Sequence, residues 1–374
     1  MRNLASIQKI VNLQPITNYD KIELATVLGW SVIVQKGEYK IGDLCVYIEV
    51  DSVLPERPEF EFLRKRCWSS RANGFRIRTL KMANTISQGI CFPISIFSSI
   101  KTKEGVDVTD FLGITKYDPE AEIENIQSNR SFIKKWLYKF GLIKRNSRTR
   151  PFPEFIPKTD EARLQSIPYI LDVLKGKKYY ISEKLDGMSG TFFQRRIENK
   201  YWFFSVVKFE FGVVSRNMWR VKYVENNEHW KIAEKYDIEN KLYQLGLNIA
   251  IQGEIIGPKC NGNKYKLDEL DFYVYQIFNI DKQKYYSFDT MVELCNRLQL
   301  KIVPILEYGI FNDLSVDDWL NFADFQSKIN KKVLREGIVV RTIEEYQDWE
   351  LKTHLNRGSF KVISRKFELE NKND

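Results

Sequence analysis

The sequence is short of the residues on which several common kinds of site depend. Its 374 residues include only two histidines and five scattered cysteines. Because no two cysteines lie at zinc-ligand spacing, a structural zinc and a histidine-based catalytic triad are both disfavoured. We expect the cysteines to be free thiols in a reducing compartment.

Long apolar runs are also missing. No run approaches the roughly 18 residues that a membrane span needs, and the first residues lack the apolar region of a signal peptide. We therefore expect an intracellular protein without a membrane partner, cytoplasmic or, if viral, within the host cell. Nothing in the pattern demands more than a monomer.

Acidic charge is the remaining shortage. The chain has 58 Lys and Arg against 49 Asp and Glu, so its formal net charge is +9 and its pI is about 9. This balance favours a polyanionic partner such as nucleic acid, although many basic proteins bind none. The length allows two domains, each with its own core.

Residues 1–117 form a first predicted domain of short strands divided by glycine and aspartate turns. The alternating segments are 22–35, 44–50, 75–80 and 86–92. Strands at this spacing predict a small OB-type β-barrel, because closure removes exposed sheet edges. Arg76 and Arg78 are candidates to contact nucleic acid from one strand of this barrel, and a solvated strand face is an equally good interpretation.

Residues 118–155 differ from their surroundings in charge. Between Arg130 and Arg150 the chain has eight basic residues and no acidic one, with aromatic and aliphatic residues at helical spacing. The pattern predicts a basic linker containing a short amphipathic helix. This helix is either a solvated connection or a bridge that contacts phosphates.

Residues 156–374 form the second predicted domain, in which strands outnumber helices. One helix is expected to begin at the capping box that starts with Ser315. The mixture predicts an α+β domain built on largely antiparallel sheets.

One segment of this domain combines residue types that can take part in catalysis. Residues 182–187 read SEKLDG between two aromatic runs, which predicts a tight turn between strands. A desolvated lysine beside other cations loses its proton more easily, so Lys184 is a candidate nucleophile. Gly187 would let a phosphate approach the backbone, and Asp186 could bind a metal or a hydroxyl. Taken alone, the pattern favours a polar hairpin turn that uses an Asp-Gly signal.

Together with four later segments, this turn resembles the ordered motifs of the covalent nucleotidyltransferases, which comprise ATP-dependent ligases and mRNA-capping guanylyltransferases. The segments similar to motifs I, Ia, III with IIIa, IV and V are, in that order, KLDG at 184–187, SRN at 215–217, GEIIGP at 253–258 with FYVY at 272–275, EGIV at 336–339 and SFKVI at 359–363. Each is common by chance, but five in order are not.

Further segments resemble RNA ligases in particular. GEIIGP and FYVY do so, as does KTDEAR at 158–163, while FRIR at 75–78 and ISQG at 86–89 are similar to the N-terminal OB domain of the RNA ligase 5 family. The resemblance, which spans nearly the whole chain, implies an N-terminal OB-type barrel followed by an antiparallel-sheet α+β nucleotidyltransferase domain, an ATP-grasp-like ligase fold.

The order of the domains bears on the alternatives. DNA ligases and capping enzymes place their OB domain after motif V, whereas only thirteen residues follow Lys361 here. We therefore expect an RNA ligase. A DNA ligase, a capping-type guanylyltransferase and an inactive nucleic-acid-binding relative remain the alternatives.

The resemblance implies a three-step reaction. Lys184 would attack the α-phosphate of ATP and form a lysyl-AMP. The AMP would pass to the 5′-phosphate of an RNA end, and a 3′-hydroxyl would then displace it to form a phosphodiester. The implied partner is RNA with 3′-hydroxyl and 5′-phosphate ends, in a nicked duplex, and the implied role is RNA repair.

The resemblance also implies which residues take part. Those implied in catalysis are Lys184, Asp186, Glu254, Glu336 and Lys361. Those implied to bind the nucleotide are Glu183, Lys184, Arg216, Glu254, Tyr275, Glu336 and Lys361. Asp186, Glu254 and Glu336 would hold Mg²⁺ or Mn²⁺ largely through its waters.

Individual roles follow from the same resemblance. Tyr275 would stack on adenine, with Glu183 as a hydrogen-bonding partner of the base. Arg216 would contact the nucleotide or the RNA 5′-phosphate, and Arg163 is a further candidate for RNA. Taken singly, each side chain also has a structural interpretation; an aromatic strand residue such as Tyr275 usually belongs to the core.

The sequence departs from the family pattern in motif V. Two lysines separated by one residue are usual there, but Ser359 stands two positions before Lys361. Lys361 would then bind the α-phosphate alone or with a second cation, for which Arg357 and Arg365 are the candidates.

Overall fold

The computed structural model describes residues 3–82, 85–97, 100, 102–117, 149–200, 205–220, 222, 227–351 and 353–371. The chain divides into two compact units, residues 1–144 with 368–374 and residues 145–367. Most of the predicted linker, and with it most of the predicted basic helix, lies outside the described residues. The predicted domain bounds at 117 and 156 therefore stay predictions.

The first unit is built from short strands. These are β1 Ala5–Ile16, β2 Tyr19–Val27, β3 Trp30–Gln35, β4 Leu44–Ile48, β5 Ser52–Leu54, β6 Trp68–Ser69, β7 Gly74–Arg76, β8 Leu80–Met82, β9 Thr85–Ser87, β10 Ile90–Pro93 and β11 Thr115–Lys116. Its described helices are α1 Arg64–Cys67 and α2 Thr109–Leu112, with 3₁₀ turns at Pro58–Leu63 and Ile94–Ile96.

The central element of this unit is β1, which pairs antiparallel with both β2 and β4 in a five-stranded sheet of order β10-β4-β1-β2-β3. Register shifts along β1, between Ile10 and Asn12 and again near its end, bend the strand. The Gln88 amide donates to Ser31 O at 2.7 Å and so links the chain before β10 to β3. This curled sheet has the form expected of the predicted OB-type barrel.

The strand predicted over 75–80 is interrupted. β7 ends at Arg76 and β8 begins at Leu80, and between them the backbone of Ile77 hydrogen-bonds that of Asp51 and Ser52. The Arg76 guanidinium lies 3.5 Å from the centroid of the Tyr117 ring, while Arg78 is exposed. Contact of either arginine with RNA stays a prediction.

The second unit is mostly strands as well. These are β12 Thr149–Pro151, β13 Lys178–Lys184, β14 Met188–Lys200, β15 Ser205–Val214, β16 Met218–Arg220, β17 Ile249–Ile256, β18 Asp271–Asn279, β19 Lys284–Tyr285, β20 Lys301–Ile302, β21 Ile305–Ile310, β22 Gly337–Thr342 and β23 Ser359–Ile363. The remaining described helices are α3 Ile170–Leu174, α4 Glu228–Lys235, α5 Ile238–Leu245, α6 Phe288–Leu298, α7 Val316–Ala323 and α8 Arg365–Asn371.

Two sheets organise this unit. The larger has the order β12-β16-β15-β14-β17-β18-β19, with β20 added parallel to β18, and the smaller has the order β21-β13-β22-β23. Their other pairings are antiparallel, as predicted for the α+β domain. Helix α7 begins at the predicted capping box of Ser315 and Asp318 and packs Trp319 on the smaller sheet. No helix in the described part of the chain is long and apolar enough to cross a membrane.

Candidate active site

Lys184 is the last residue of β13, and its position is fixed by strand pairing. It lies opposite Gly337, the first residue of β22, so Glu336 immediately before that strand comes beside it. The Lys184 ammonium donates to Glu336 Oε2 at 2.5 Å. The segments similar to motifs I and IV therefore meet because β13 and β22 are neighbours. The predicted turn is shorter than expected, since β13 continues through residue 184.

Glu254 comes to Lys184 from the larger sheet. It lies on β17, and its Oε1 accepts a hydrogen bond from the Gly187 amide at 3.1 Å. A β-carbon at position 187 would lie 2.2 Å from Ile255 O. Glycine is thus required there for contact with β17, a reason that the sequence did not reveal.

The expected neighbours of Lys184 are cations, but the charged neighbours that most affect its pKa are carboxylates. Burial alone would lower the pKa of Lys184, but Glu336 and Glu254 raise it overall. Burial raises the pKa of Glu254 to about 8, against the attraction of Lys184 and with the added repulsion of Glu336 and Asp186. Before it can act as a nucleophile, this lysine must lose the proton that its carboxylate neighbours favour.

Asp186 is engaged by a loop that follows β17. Its carboxylate pairs with the Lys264 ammonium and accepts a hydrogen bond from Asn261 Nδ2 at 2.8 Å. The Asp186 amide donates to the Tyr265 hydroxyl at 2.8 Å. Asp186 thus ties the turn after β13 to this loop, whereas the sequence suggested only a metal or hydroxyl ligand.

Asp186, Glu254 and Glu336 are the carboxylates expected to hold a divalent ion. In the described part of the chain, no group of three or more His, Cys, Asp or Glu side chains is arranged to hold a metal directly. The pKa of Glu254 is raised chiefly by burial, and the negative charges of Glu336 and Asp186 add to the rise. Carboxylate oxygens that bind Mg²⁺ through its waters match this donor set.

Lys361 reaches the same face of the smaller sheet from β23. It lies opposite Val339, which in turn lies opposite Ser182 on β13. Side chains two residues apart on a strand share a face, so Lys361 and Lys184 project to the same side. Burial and the charges of Lys184 and Arg163 together lower the pKa of Lys361 to about 8, against the attraction of Asp160.

The expected second cations of motif V are engaged elsewhere. Arg357 is buried against Glu345, with its Nε 2.6 Å from Oε1, and Arg365 pairs with Asp317. Both arginines thus have carboxylate partners of their own, and a role for either at the α-phosphate stays a prediction. Arg163 forms an isolated parallel bridge with Lys361, and its charge acts on the Lys361 amine. The KTDEAR segment was the signal that pointed to it.

Tyr275 lies half-buried on β18, where its hydroxyl is 3.0 Å from Thr159 Oγ1 and 3.3 Å from Ser189 Oγ. Burial raises the pKa of this hydroxyl to about 12. The Arg341 guanidinium lies 5.8 Å from the ring centroid. The negative charge of Glu254, also on the larger sheet, contributes to the raised pKa of the Tyr275 hydroxyl. Because its ring lies near Glu254, Tyr275 stays a candidate to stack on adenine.

Two nucleotide-binding candidates lie away from these groups. Glu183 is buried, and strand alternation directs its side chain to the face opposite Lys184. Its Oε2 accepts a hydrogen bond from the Lys328 amide at 2.7 Å, and a hydrogen bond between Glu183 and the base stays a prediction. Arg216 is exposed in the turn between β15 and β16, and its role stays a prediction.

Comparison with known proteins adds independent findings. A family model described as RNA ligase matches residues 177–363, and one described as an OB-fold domain matches residues 4–94. The Naegleria gruberi RNA ligase with PPi is 32% identical and superposes with a TM-score of 0.74, covering 99% of each chain.

Two mutants of the Naegleria ligase agree with this match. One was solved with AMP and Mn (TM-score 0.76) and another with ATP and Mn (TM-score 0.75), each 32% identical over 99% of both chains. Among curated protein sequences none matches this chain. The predicted fold, an OB-fold followed by an antiparallel-sheet α+β ligase domain, is confirmed.

Proposed function

The chain belongs to the RNA ligase family and is an ATP-dependent RNA ligase, and from that premise we propose that it joins RNA 3′-hydroxyl and 5′-phosphate ends through a lysyl-AMP on Lys184. One observation above all supports this proposal. The Lys184 amine is held by Glu336 on a strand face that also presents Lys361. The groups proposed as nucleophile, proton acceptor and phosphate-binding cation thus lie on one side of one sheet.

In the first step the Lys184 amine attacks the α-phosphorus of ATP. A nitrogen–phosphorus bond forms, the bond to the bridging oxygen breaks, and pyrophosphate leaves. The amine must first give up a proton, and Glu336 Oε2, at 2.5 Å, is in position to accept it. Lys361 would contact the α-phosphate, where its charge stabilises the transition state.

In the second step a 5′-phosphate oxygen of RNA attacks the same phosphorus. The nitrogen–phosphorus bond breaks, Lys184 recovers its proton, and AMP is carried on the RNA end. In the third step the 3′-hydroxyl attacks the 5′-phosphorus, AMP leaves, and the hydroxyl proton is released as the phosphodiester forms. Phosphoryl transfer of this kind needs chiefly positioning and charge neutralisation from the protein.

ATP and a divalent metal ion are the cofactors, as in the Naegleria structures solved with ATP, AMP and Mn. When bound, the ion would neutralise phosphate charge. Glu254 and Glu336 would hold it through its waters, with Asp186 contributing from its position beside Lys264. Tyr275 would stack on the adenine ring, and Arg163 and Arg216 would bind phosphates of the nucleotide or the RNA.

The finer substrate is also proposed. We expect the natural RNA to be a nicked duplex, held in part by Arg76 and Arg78 of the OB-fold, and the enzyme to act as an intracellular monomer. Sealing rates on matched nicked duplexes, with RNA and DNA exchanged on either side of the nick, test this expectation. A preference for single strands over every nicked duplex would contradict it.

The decisive experiment is intact mass measurement after incubation with Mg²⁺ and ATP, with GTP in parallel. We expect an AMP adduct on the wild type, none on Lys184→Ala, and an unchanged adduct on Lys178→Ala, which removes an exposed lysine from the same strand. A GMP adduct would favour capping chemistry. Absence of any adduct from folded, nucleotide-free protein would contradict the proposed mechanism.

A further inference from the structure

The segment of residues 158–163, which precedes the first motif, contacts most of the later ones in turn. Lys158 Nζ donates to Asn217 Oδ1 at 2.9 Å, and Thr159 Oγ1 lies 3.0 Å from the Tyr275 hydroxyl. Asp160 Oδ1 accepts a hydrogen bond from Lys361 Nζ at 3.1 Å. Side chains that the reaction needs therefore share one neighbouring segment.

Glu161 is the buried anchor of this segment. Its Oε1 accepts hydrogen bonds from Arg341 Nη2 at 2.9 Å and from Arg341 Nε at 3.1 Å, and its Oε2 accepts one from the Ser359 hydroxyl. The Arg341 side chain is 5% exposed and that of Glu161 13%. Because Arg341 and Ser359 are directly opposite on β22 and β23, one carboxylate joins the segment to two strands.

The next pair on the same face of those strands is Val339 and Lys361, two positions further along. The Lys361 amide donates to Ala162 O at 2.8 Å, and its side chain bonds Asp160. Both the backbone and the amine of Lys361 are thus held by residues on either side of Glu161. β23 is an edge strand of its sheet and pairs with β22 on one side. In the described part of the chain, its other side is bridged at Lys361 by the 158–163 segment.

We propose that Glu161 is a positioning residue for Lys361. Its carboxylate fixes the 158–163 segment against Arg341 and Ser359, and the segment then directs the Lys361 ammonium toward the α-phosphate. Ser359 stands in place of the usual first lysine of motif V, and in this arrangement its hydroxyl donates a hydrogen bond to Glu161. This inference rests on the proposed role of Lys361 in forming lysyl-AMP.

The test compares Glu161→Gln with Glu345→Gln. Glu345 is a matched control, because it also pairs with a buried arginine through two hydrogen bonds, Arg357 Nε at 2.6 Å and Nη2 at 2.8 Å, and is 16% exposed. We expect Glu161→Gln to slow single-turnover lysyl-AMP formation about 10- to 100-fold, because small misplacements of a positioned group are costly. Glu345→Gln should stay within about twofold while losing similar thermal stability.

A double-mutant cycle distinguishes positioning from general damage. If Glu161 acts through Lys361, Glu161→Gln combined with Lys361→Ala should be no slower than Lys361→Ala alone. Rate losses that multiply would overturn the proposal, as would a Glu161→Gln rate equal to that of Glu345→Gln.

Hydrogen exchange gives a readout that does not require activity. In Glu161→Gln the Lys361 amide should exchange faster, while the amides of β22 keep their protection. Unchanged exchange at Lys361 would contradict the positioning contact itself. A wild-type protein that forms no adduct would instead contradict the proposed function, and exchange would still decide the role of Glu161.

Discussion

Two groups of buried charges in the second unit differ in how well they are balanced. The Lys184 cluster consists of Lys184, Asp186, Glu254, Lys264 and Glu336, in which three carboxylates face two lysines. The Arg341 cluster consists of Glu161, Arg341, Glu345 and Arg357, in which each of two guanidinium groups donates two hydrogen bonds to one carboxylate.

The difference appears in two carboxylates with similar burial. Burial acts to raise the pKa of Glu161, but attraction by Arg341 and Arg357 outweighs it, and the pKa is lowered. Burial raises the pKa of Glu254 to about 8, and Lys184 does not compensate for it. In a balanced cluster each buried charge has a partner, whereas an unbalanced one is typical of a site that receives positive charge when a ligand binds.

The largest effect on lysyl-AMP formation should come from Lys361→Ala, which removes a cation next to the Lys184 cluster. Loss of a cation at the α-phosphate should slow lysyl-AMP formation about 100- to 1000-fold, by analogy with the removal of one transition-state donor elsewhere. Single-turnover rates measure this, and Lys366→Ala, which removes an exposed lysine, should match the wild type. A Lys361→Ala rate within threefold of wild type, roughly 0.7 kcal/mol, would remove Lys361 from the mechanism.

Arg357→Met should instead affect stability. It leaves Glu345 buried without its partner and removes a guanidinium that lies 3.9 Å from the centroid of the Tyr285 ring. We expect a loss of about 3 kcal/mol in the free energy of unfolding, with lysyl-AMP formation nearly unchanged below the melting temperature. Urea denaturation and single-turnover rates are the two measurements.

The control for this prediction is Arg365→Met, which removes a more exposed ion pair with Asp317. It should cost at most about 1 kcal/mol. Together the two variants examine whether either arginine serves as the second cation of motif V. A large fall in adenylylation for Arg357→Met, without loss of stability, would show that the Arg341 cluster is catalytic after all.

Sequence patterns predicted the parts of the site that depend on strand pairing. Once the segments similar to motifs I, IV and V were recognised, Lys184, Glu336 and Lys361 were expected to meet. They do so through the pairing of β13, β22 and β23. The curled sheet of the first unit followed likewise from alternating segments and turns, because both signals are local.

Contacts between distant residues were beyond the sequence patterns. Lys264 is 78 positions from Asp186, and no spacing rule relates the two. The direction of the Glu183 side chain was not foreseen because the predicted turn began at Ser182, three residues too early. Once β13 is extended to Lys184, adjacent side chains must point to opposite faces. The pKa of Lys184 depends on the whole cluster, which no single motif describes.

The smallest predicted effect is an increase in melting temperature rather than a loss. It concerns Glu254→Gln in protein free of metal and nucleotide. The pKa of Glu254 rises from 4.5 to about 8 on folding, so between these values the folded protein keeps a proton that the unfolded chain has lost. Its stability must therefore fall as the pH rises through this range. Glutamine removes that penalty, and we expect the melting temperature to rise by about 3 °C at pH 8, with no gain near pH 4.

Glu161→Gln should change the melting temperature in the opposite direction. The pKa of Glu161 is lowered in the folded state, so its ionised form contributes stability above the pKa of the unfolded chain, and that contribution is lost as the pH falls. Thermal melts of the two variants between pH 4 and pH 8 compare the clusters directly. If both variants lowered the melting temperature at every pH, Glu254 would be a balanced structural carboxylate like Glu161, and the excess of negative charge around Lys184 would not be what distinguishes the site.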